Sequence, residues 1–191
     1  LRDSWWDSSS SSWTSFVQLM GLPKEQLSDT YYFPSYNNLS LSGQLRFGNV
    51  DTTATWVRVV IGGVERGRYF LNPSEQKRVE YALDSGPVVI QSETPGVKII
   101  AALRDSWWDG KRWTSFAQLM GLPKESLSDT YYFPSYNNLS LSGQLRFGNV
   151  DTSATWVRVV IGGVERGRYF LNPSEQKRVE YPLDSGPVVI Q

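Results

Sequence analysis

Ala54-Thr-Trp-Val-Arg-Val-Val-Ile-Gly-Gly-Val-Glu-Arg-Gly-Arg-Tyr-Phe-Leu71 is the stretch that decides the fold. Over Ala54–Ile61, Val57, Val59 and Ile61 fall on one face and Trp56, Arg58 and Val60 on the other, the two-residue period of an extended strand. Gly62-Gly63 and Gly67 then allow a hairpin or bulge into Arg68–Leu71. Upstream, Thr30–Phe33 reads as a strand, and Leu39, Leu41, Leu45 and Phe47 alternate with Ser40, Ser42, Gln44 and Arg46 as a second one.

Gly48-Asn-Val-Asp-Thr52, Asn72-Pro-Ser74, Asp84-Ser-Gly-Pro87 and Thr94-Pro-Gly96 have turn chemistry and separate the strand segments Gln76–Tyr81, Val88–Gln91 and Val97–Leu103. Thr14–Met20 differs. A Ser-x-x-Gln capping pattern at Ser15 and Gln18, closed by Gly21 and Pro23, predicts one or two helical turns there. Short strands at a spacing of about ten residues predict an all-β, antiparallel sandwich of immunoglobulin-like or jelly-roll-like type, with a short helical turn.

The pattern occurs twice. Residues Trp13–Gln91 match Trp113–Gln191 at an offset of 100, and the only differences over those 79 positions are Val17/Ala117, Gln26/Ser126, Thr53/Ser153 and Ala82/Pro182. A leader, Leu1–Asp7, returns as Leu103–Asp109. A period this long suits a self-contained domain rather than a solenoid turn. The expected organisation is a leader strand and linker at 1–12, a sandwich repeat at 13–91, a connecting strand and linker at 92–112, and a second repeat at 113–191. Ser92–Ala102 appears once, so on this reading the chain begins and ends partway through a repeat, either as a window of a longer tandem array or with the missing element supplied by another molecule.

Composition narrows the chemistry. Nineteen Lys and Arg balance 19 Asp and Glu, so no cationic surplus favours nucleic acid. Without His or Cys the chain cannot form a zinc, haem or iron–sulfur site of the usual ligands, a thiol nucleophile or a histidine triad, and neither cofactor nor metal is expected. Forty per cent hydrophobic residues, with 26 aromatics among the 191, suffice for a core. No apolar run approaches the roughly 18 residues that cross a bilayer, and no membrane span is expected.

Asp84 reads as a turn residue bonding nearby backbone, and Glu65, Glu75 and Glu80, interspersed with Arg66, Lys77 and Arg78, read as solvated strand faces. Asp29, Asp51 and Asp84 lie in separate turns without the rhythm of a calcium loop. No catalytic residue is assigned, and an enzyme is not expected. The dense stretch Tyr31–Asn38 offers Tyr31 and Tyr36, with Tyr131 and Tyr136, either as rings that stack on sugars or as core and corner residues. Asn38 and Asn138 fit the N-x-Ser acceptor pattern, and the serine run containing Ser8, Ser9 and Ser10 reads as a spacer or a site of O-linked sugar. Paired tryptophans, Trp5-Trp6 and Trp107-Trp108, place one ring of each pair toward its own core and the other toward a neighbour if the strand is regular.

Phe33-Pro-Ser-Tyr-Asn-Asn38, Gln44-Leu-Arg-Phe-Gly-Asn49, Ile61-Gly-Gly-Val64, Ser85-Gly-Pro-Val88 and Val97-Lys-Ile-Ile100 follow one another in fixed order. In these motifs each unit resembles the tandem repeats of bacterial cell-surface proteins. The resemblance implies an extracellular β-rich module used in series and located at the cell surface, with no catalytic residues to transfer.

A sandwich without its Val97–Leu103 strand exposes unpaired backbone groups and an apolar groove. In the first copy this strand can close the fold or reach forward; in the second there is none. The sequence therefore predicts a structural subunit of an extracellular filament, a homopolymer joined head to tail by strand complementation. Leu1, Trp5, Trp6, Val97, Ile99, Ile100, Leu103, Trp107 and Trp108 are the expected assembly residues, either of two strand faces being available, Val97, Ile99 and Ala101 or Lys98, Ile100 and Ala102. Covalent or bound glycans are further candidate partners, and a carbohydrate-binding adhesin is the alternative reading.

Overall fold

The computed structural model describes residues 1–8, 11–111 and 113–191. The chain is all-β and its strand pairs are antiparallel. It divides into two compact units, Leu1–Ser126 and Leu127–Gln191.

The first unit begins with a hairpin of β1 (Arg2–Asp7) and β2 (Ser12–Gln18). Thr14–Gln18 are thus extended, where the sequence predicts helix. A segment this short cannot recover the cost of nucleating a helix, whereas the leader offers it a complete ladder from Arg2↔Gln18 to Asp7↔Ser12. The helical element is instead a 3-10 turn at Lys24–Gln26, repeated at Lys124–Ser126.

Next come β3 (Thr30–Phe33), β4 (Tyr36–Asn37) and β5 (Ser42–Asn49). Leu39 and Leu41 lie outside β5, contrary to their alternation. The Asn37 side-chain oxygen accepts backbone N–H bonds from Leu39 and Ser40, each at 3.0 Å, and winds this segment into a loop that leaves Leu39 exposed. Strands β6 (Thr55–Ile61) and β7 (Val64–Leu71) form the expected hairpin. Gly62 and Gly63 turn it with φ of 59° and 75°, and the register shifts opposite Gly67. Val57, Val59 and Ile61 are fully buried.

The unit continues with β8 (Gln76–Val79), β9 (Asp84–Ser85), β10 (Val88–Ser92), β11 (Ile99–Trp108), β12 (Trp113–Met120) and β13 (Leu122–Pro123). One sheet has the order β13-β3-β10-β6-β7 and another β12-β11-β5-β8. Between them lies a core containing Tyr31, Phe33, Leu45, Phe47, Val59, Ile90, Ile99 and Leu103.

The second unit repeats the central part: β14 (Tyr131–Phe133), β15 (Tyr136–Asn137), β16 (Leu145–Gly148), β17 (Thr155–Ile161), β18 (Val164–Leu171), β19 (Gln176–Val179), β20 (Asp184–Ser185) and β21 (Val188–Ile190). Its larger sheet has the order β14-β21-β17-β18, and β16 pairs with β19. A smaller core gathers Tyr136, Leu145, Phe147, Val159, Ile161 and Ile190. Among the described residues, no helix is long and apolar enough to cross a membrane.

Candidate functional site

Two copies of nearly one sequence end up in different states, and a single segment accounts for the difference. After the turn at Pro95-Gly96, where Gly96 has φ of 80°, the chain enters β11. The Lys98 N–H donates to Asp51 Oδ2 at 3.3 Å, the Val50 N–H donates to the Lys98 carbonyl at 3.3 Å, and the Ile99 N–H donates to the Ser28 carbonyl at 3.0 Å. From Ile99↔Asn49 to Ser106↔Ser42, β11 then zips along the whole of β5. Val97, Ile99, Ala101 and Leu103 are buried; of the opposite face read in the sequence, Lys98 and Ile100 are half-buried and Ala102 is buried.

The same segment reaches the other sheet. Once β12 has folded back on β11, the Gly121 N–H donates to the Ala101 carbonyl at 2.9 Å, and Leu122 and Pro123 pair with Tyr32 and Tyr31. Gly121 lies where a Cβ would stand 2.8 Å from the Tyr31 Cβ and 2.9 Å from the Phe33 Cζ, so no larger residue fits without displacement. Residues 97–123 therefore supply an edge strand to both sheets of the first copy.

In the second copy, among the described residues, neither edge pairs with a further strand. Among the described residues β16 pairs only with β19, and β14 only with β21. Ladder pairing is also shorter: Ser142, Gly143 and Gln144 are outside the strand that their counterparts begin. Phe33 is 1% exposed and its equivalent Phe133 44%; Tyr31 is fully buried and Tyr131 half-buried; Tyr132 is 73% exposed. Burying a ring such as Phe133 stabilises by about 2 kcal/mol, so the open face is a substantial unsatisfied apolar surface.

A further opening lies at the end of β21, an accessible depression of about 430 Å³ lined by Asp129, Thr130, Trp156, Arg158, Arg168 and Gln191. In the first copy the counterparts of Trp156 and Arg168 meet Glu93: its N–H donates to the Trp56 carbonyl at 2.8 Å, and its carboxylate accepts from Arg68 Nε at 2.6 Å.

The other sequence candidates take structural positions. Tyr31 and Tyr36 are buried and present no ring face to a sugar; Tyr136 is likewise buried. The Tyr36 hydroxyl donates to the Gly43 carbonyl at 2.8 Å and accepts from the Tyr81 N–H at 2.8 Å, an arrangement repeated by Tyr136, Gly143 and Tyr181. Burial pushes the Tyr31, Tyr36 and Tyr81 phenols up from their ordinary range. Asn38 is half-buried, with its side-chain oxygen accepting from the Gly43 N–H at 3.1 Å; Asn138 is also half-buried. Ser8 is exposed, and Ser9 and Ser10 lie outside the described residues.

Asp84 accepts from the Asn37 side-chain amide at 3.0 Å and clips β4 to β9. Asp51, half-buried, is held below the usual carboxylate range by the Lys98 and Thr52 N–H groups. No group of three metal-ligating side chains occurs among the described residues.

The tryptophan pairs depart from the expected alternation. Trp107 and Trp108 are both about half-exposed, because β5 ends opposite Ser106 and the ladder to β12 has a register shift between the two tryptophans. Trp6 is similarly half-exposed at the equivalent shift, and the Trp5 side chain lies outside the described residues. Leu1 is exposed. The role of Gly121 in seating the segment escaped the sequence reading, which saw Gly21 only as a helix stop; its conformation carries no signal, since the requirement comes from Tyr31 and Phe33 far away in sequence.

No family model matches the chain, and no curated protein matches it. Among solved structures the chain is similar to the crystal structure of Thermotoga maritima 1070, at 12% identity over 52% of this chain and 97% of that one, with a TM-score of 0.41. A likeness of that depth has no bearing on function.

Proposed function

We propose that the chain is a structural subunit of an extracellular filament, built of two tandem β-sandwich modules that are completed in series. The observation that carries this reading is the contrast between copies. One sequence has both sheet edges paired where residues 97–123 lie across them, whereas in its second copy, among the described residues, β14 and β16 have no strand on the corresponding side. An open edge beside exposed aromatic residues is a surface that pairs with an extended segment, through main-chain bonds for affinity and alternate side chains for register. Head-to-tail contacts that do not close produce a filament. The reading assigns no catalysis, and its extracellular placement follows from the resemblance to cell-surface repeats.

The test is negative-stain electron microscopy of the purified chain over a concentration series, beside light scattering. Threads that lengthen with concentration are expected. Single-chain particles at every concentration would overturn the proposal.

A further inference from the structure

Resting on that reading, we infer that the donor is a preformed hairpin, residues 1–23 of a second copy of this chain, and that it seats in a fixed register on the second copy's open edges. Hairpin β1–β2 is the same object as hairpin β11–β12. Arg2↔Gln18, Asp3↔Val17, Ser4↔Phe16, Trp5↔Ser15 and Trp6↔Trp13 reproduce Arg104↔Gln118 through Trp108↔Trp113, including the shift between the tryptophans. Leu1–Asp7 and Leu103–Asp109 are identical, and residues 13–23 differ from 113–123 only at Val17/Ala117. What differs is the partner. The β11 edge turned away from β12 pairs with β5, whereas among the described residues the β1 edge turned away from β2 pairs with no strand.

Donor and acceptor edges are thus both present in one chain, and the first copy gives their register. Leu103↔Leu45, Arg104↔Gln44, Asp105↔Gly43 and Ser106↔Ser42 translate into Leu1↔Leu145, Arg2↔Gln144, Asp3↔Gly143 and Ser4↔Ser142 between molecules. Gly21-Leu22-Pro23 then crosses to Tyr131 and Tyr132 as Gly121-Leu122-Pro123 crosses to Tyr31 and Tyr32, and Leu22, which packs against the first core of its own chain, leaves that core on seating. A donor already paired within its own hairpin arrives with its backbone ordered, so less conformational entropy is lost on docking than for a free strand.

Gly21 makes the inference testable. A Cβ at Gly21 meets nothing within 4 Å in its own chain, whereas a Cβ at the seated position, represented by Gly121, collides with the Cβ of a tyrosine and the ring of a phenylalanine. Gly21→Val therefore leaves the chain's fold intact and removes its ability to donate, while its acceptor edges remain whole. Such a chain terminates growth.

The experiment compares the wild-type 191-residue chain, Gly21→Val and mixtures of the two by light scattering and negative stain, with thermal unfolding as the folding control. Expected are loss of threads for Gly21→Val alone, an unchanged unfolding profile, and shortening of wild-type threads in proportion to the variant added. Threads of undiminished length from Gly21→Val alone, or wild-type threads unaffected by the variant, would overturn the hairpin register while leaving filament assembly standing. An absence of threads from the wild-type chain would overturn the filament reading and this inference with it.

Discussion

Leu103 stands opposite Leu45 across an antiparallel ladder, both side chains buried, whereas Leu145, the same residue one repeat later, has no strand on that side among the described residues. The pair isolates the effect of one edge strand on an otherwise constant sequence. Stability, exchange and assembly should all follow from it.

The two copies should differ in amide exchange. Thr55–Ile61 and Thr155–Ile161 are identical, yet Val57 is fully buried and Val157 half-buried. Backbone amides at 155–161 should exchange faster than those at 55–61. Hydrogen-exchange mass spectrometry can separate the copies because peptides that include Thr53 or Ser153 differ in mass. Equal protection would contradict the claim that the segment 97–123 stabilises the copy it covers.

Truncating the inserted strand should uncouple the units. Ile99 is fully buried in the first core, and Ile99→Ala should destabilise that unit by about 2–5 kcal/mol. Urea unfolding followed by fluorescence should show one transition moving to lower denaturant while the transition of the second unit stays in place. A shift of both would contradict assignment of this strand to the first core.

Much of this arrangement is legible in the sequence, and the failures share a cause. The hairpin at residues 55–71 could be read because its alternation and its Gly-Gly turn are local. The need for Val97–Leu103 could be read from its single occurrence, but which copy uses it could not, since that depends on contacts such as Lys98 to Asp51 and Gly121 to Tyr31. Thr14–Met20 and the Leu39–Leu41 alternation misled for the same reason: a distant leader strand and the Asn37 side chain override weak local signals. For the tryptophan pair, the register shift between Trp107 and Trp108 breaks the alternation that the sequence presumed.

Acid should loosen the inserted strand at its entry. Asp51 has its carboxyl held below the usual range, with the Lys98 N–H as the leading cause. A folded-state value below the unfolded one gives stabilisation that is present above about pH 4 and is lost as pH falls through the folded value. Lys98 amide protection, followed by NMR, should fall in that window and should already be reduced at neutral pH in Asp51→Asn. Asp151→Asn should leave Lys98 unchanged. A Lys98 amide indifferent to Asp51→Asn would contradict the prediction.

The tyrosine that joins loop to strand should matter in each copy. Tyr36→Phe strands the Gly43 carbonyl and the Tyr81 N–H, and should cost the first unit about 1–3 kcal/mol. Tyr136→Phe should do the same to the second unit through Gly143 and Tyr181. Chemical denaturation of the two variants checks this, and a change below the error of the method in both would contradict it.

The most direct measurement is exchange at residues 143–156 with and without a synthetic peptide of sequence 97–123. If the second copy is a fold that lacks its edge strands, bound peptide should raise protection there to the level of residues 43–56 in the first copy. Unchanged exchange at saturating peptide would show that the second copy does not accept the segment that closes the first, and the account would fail.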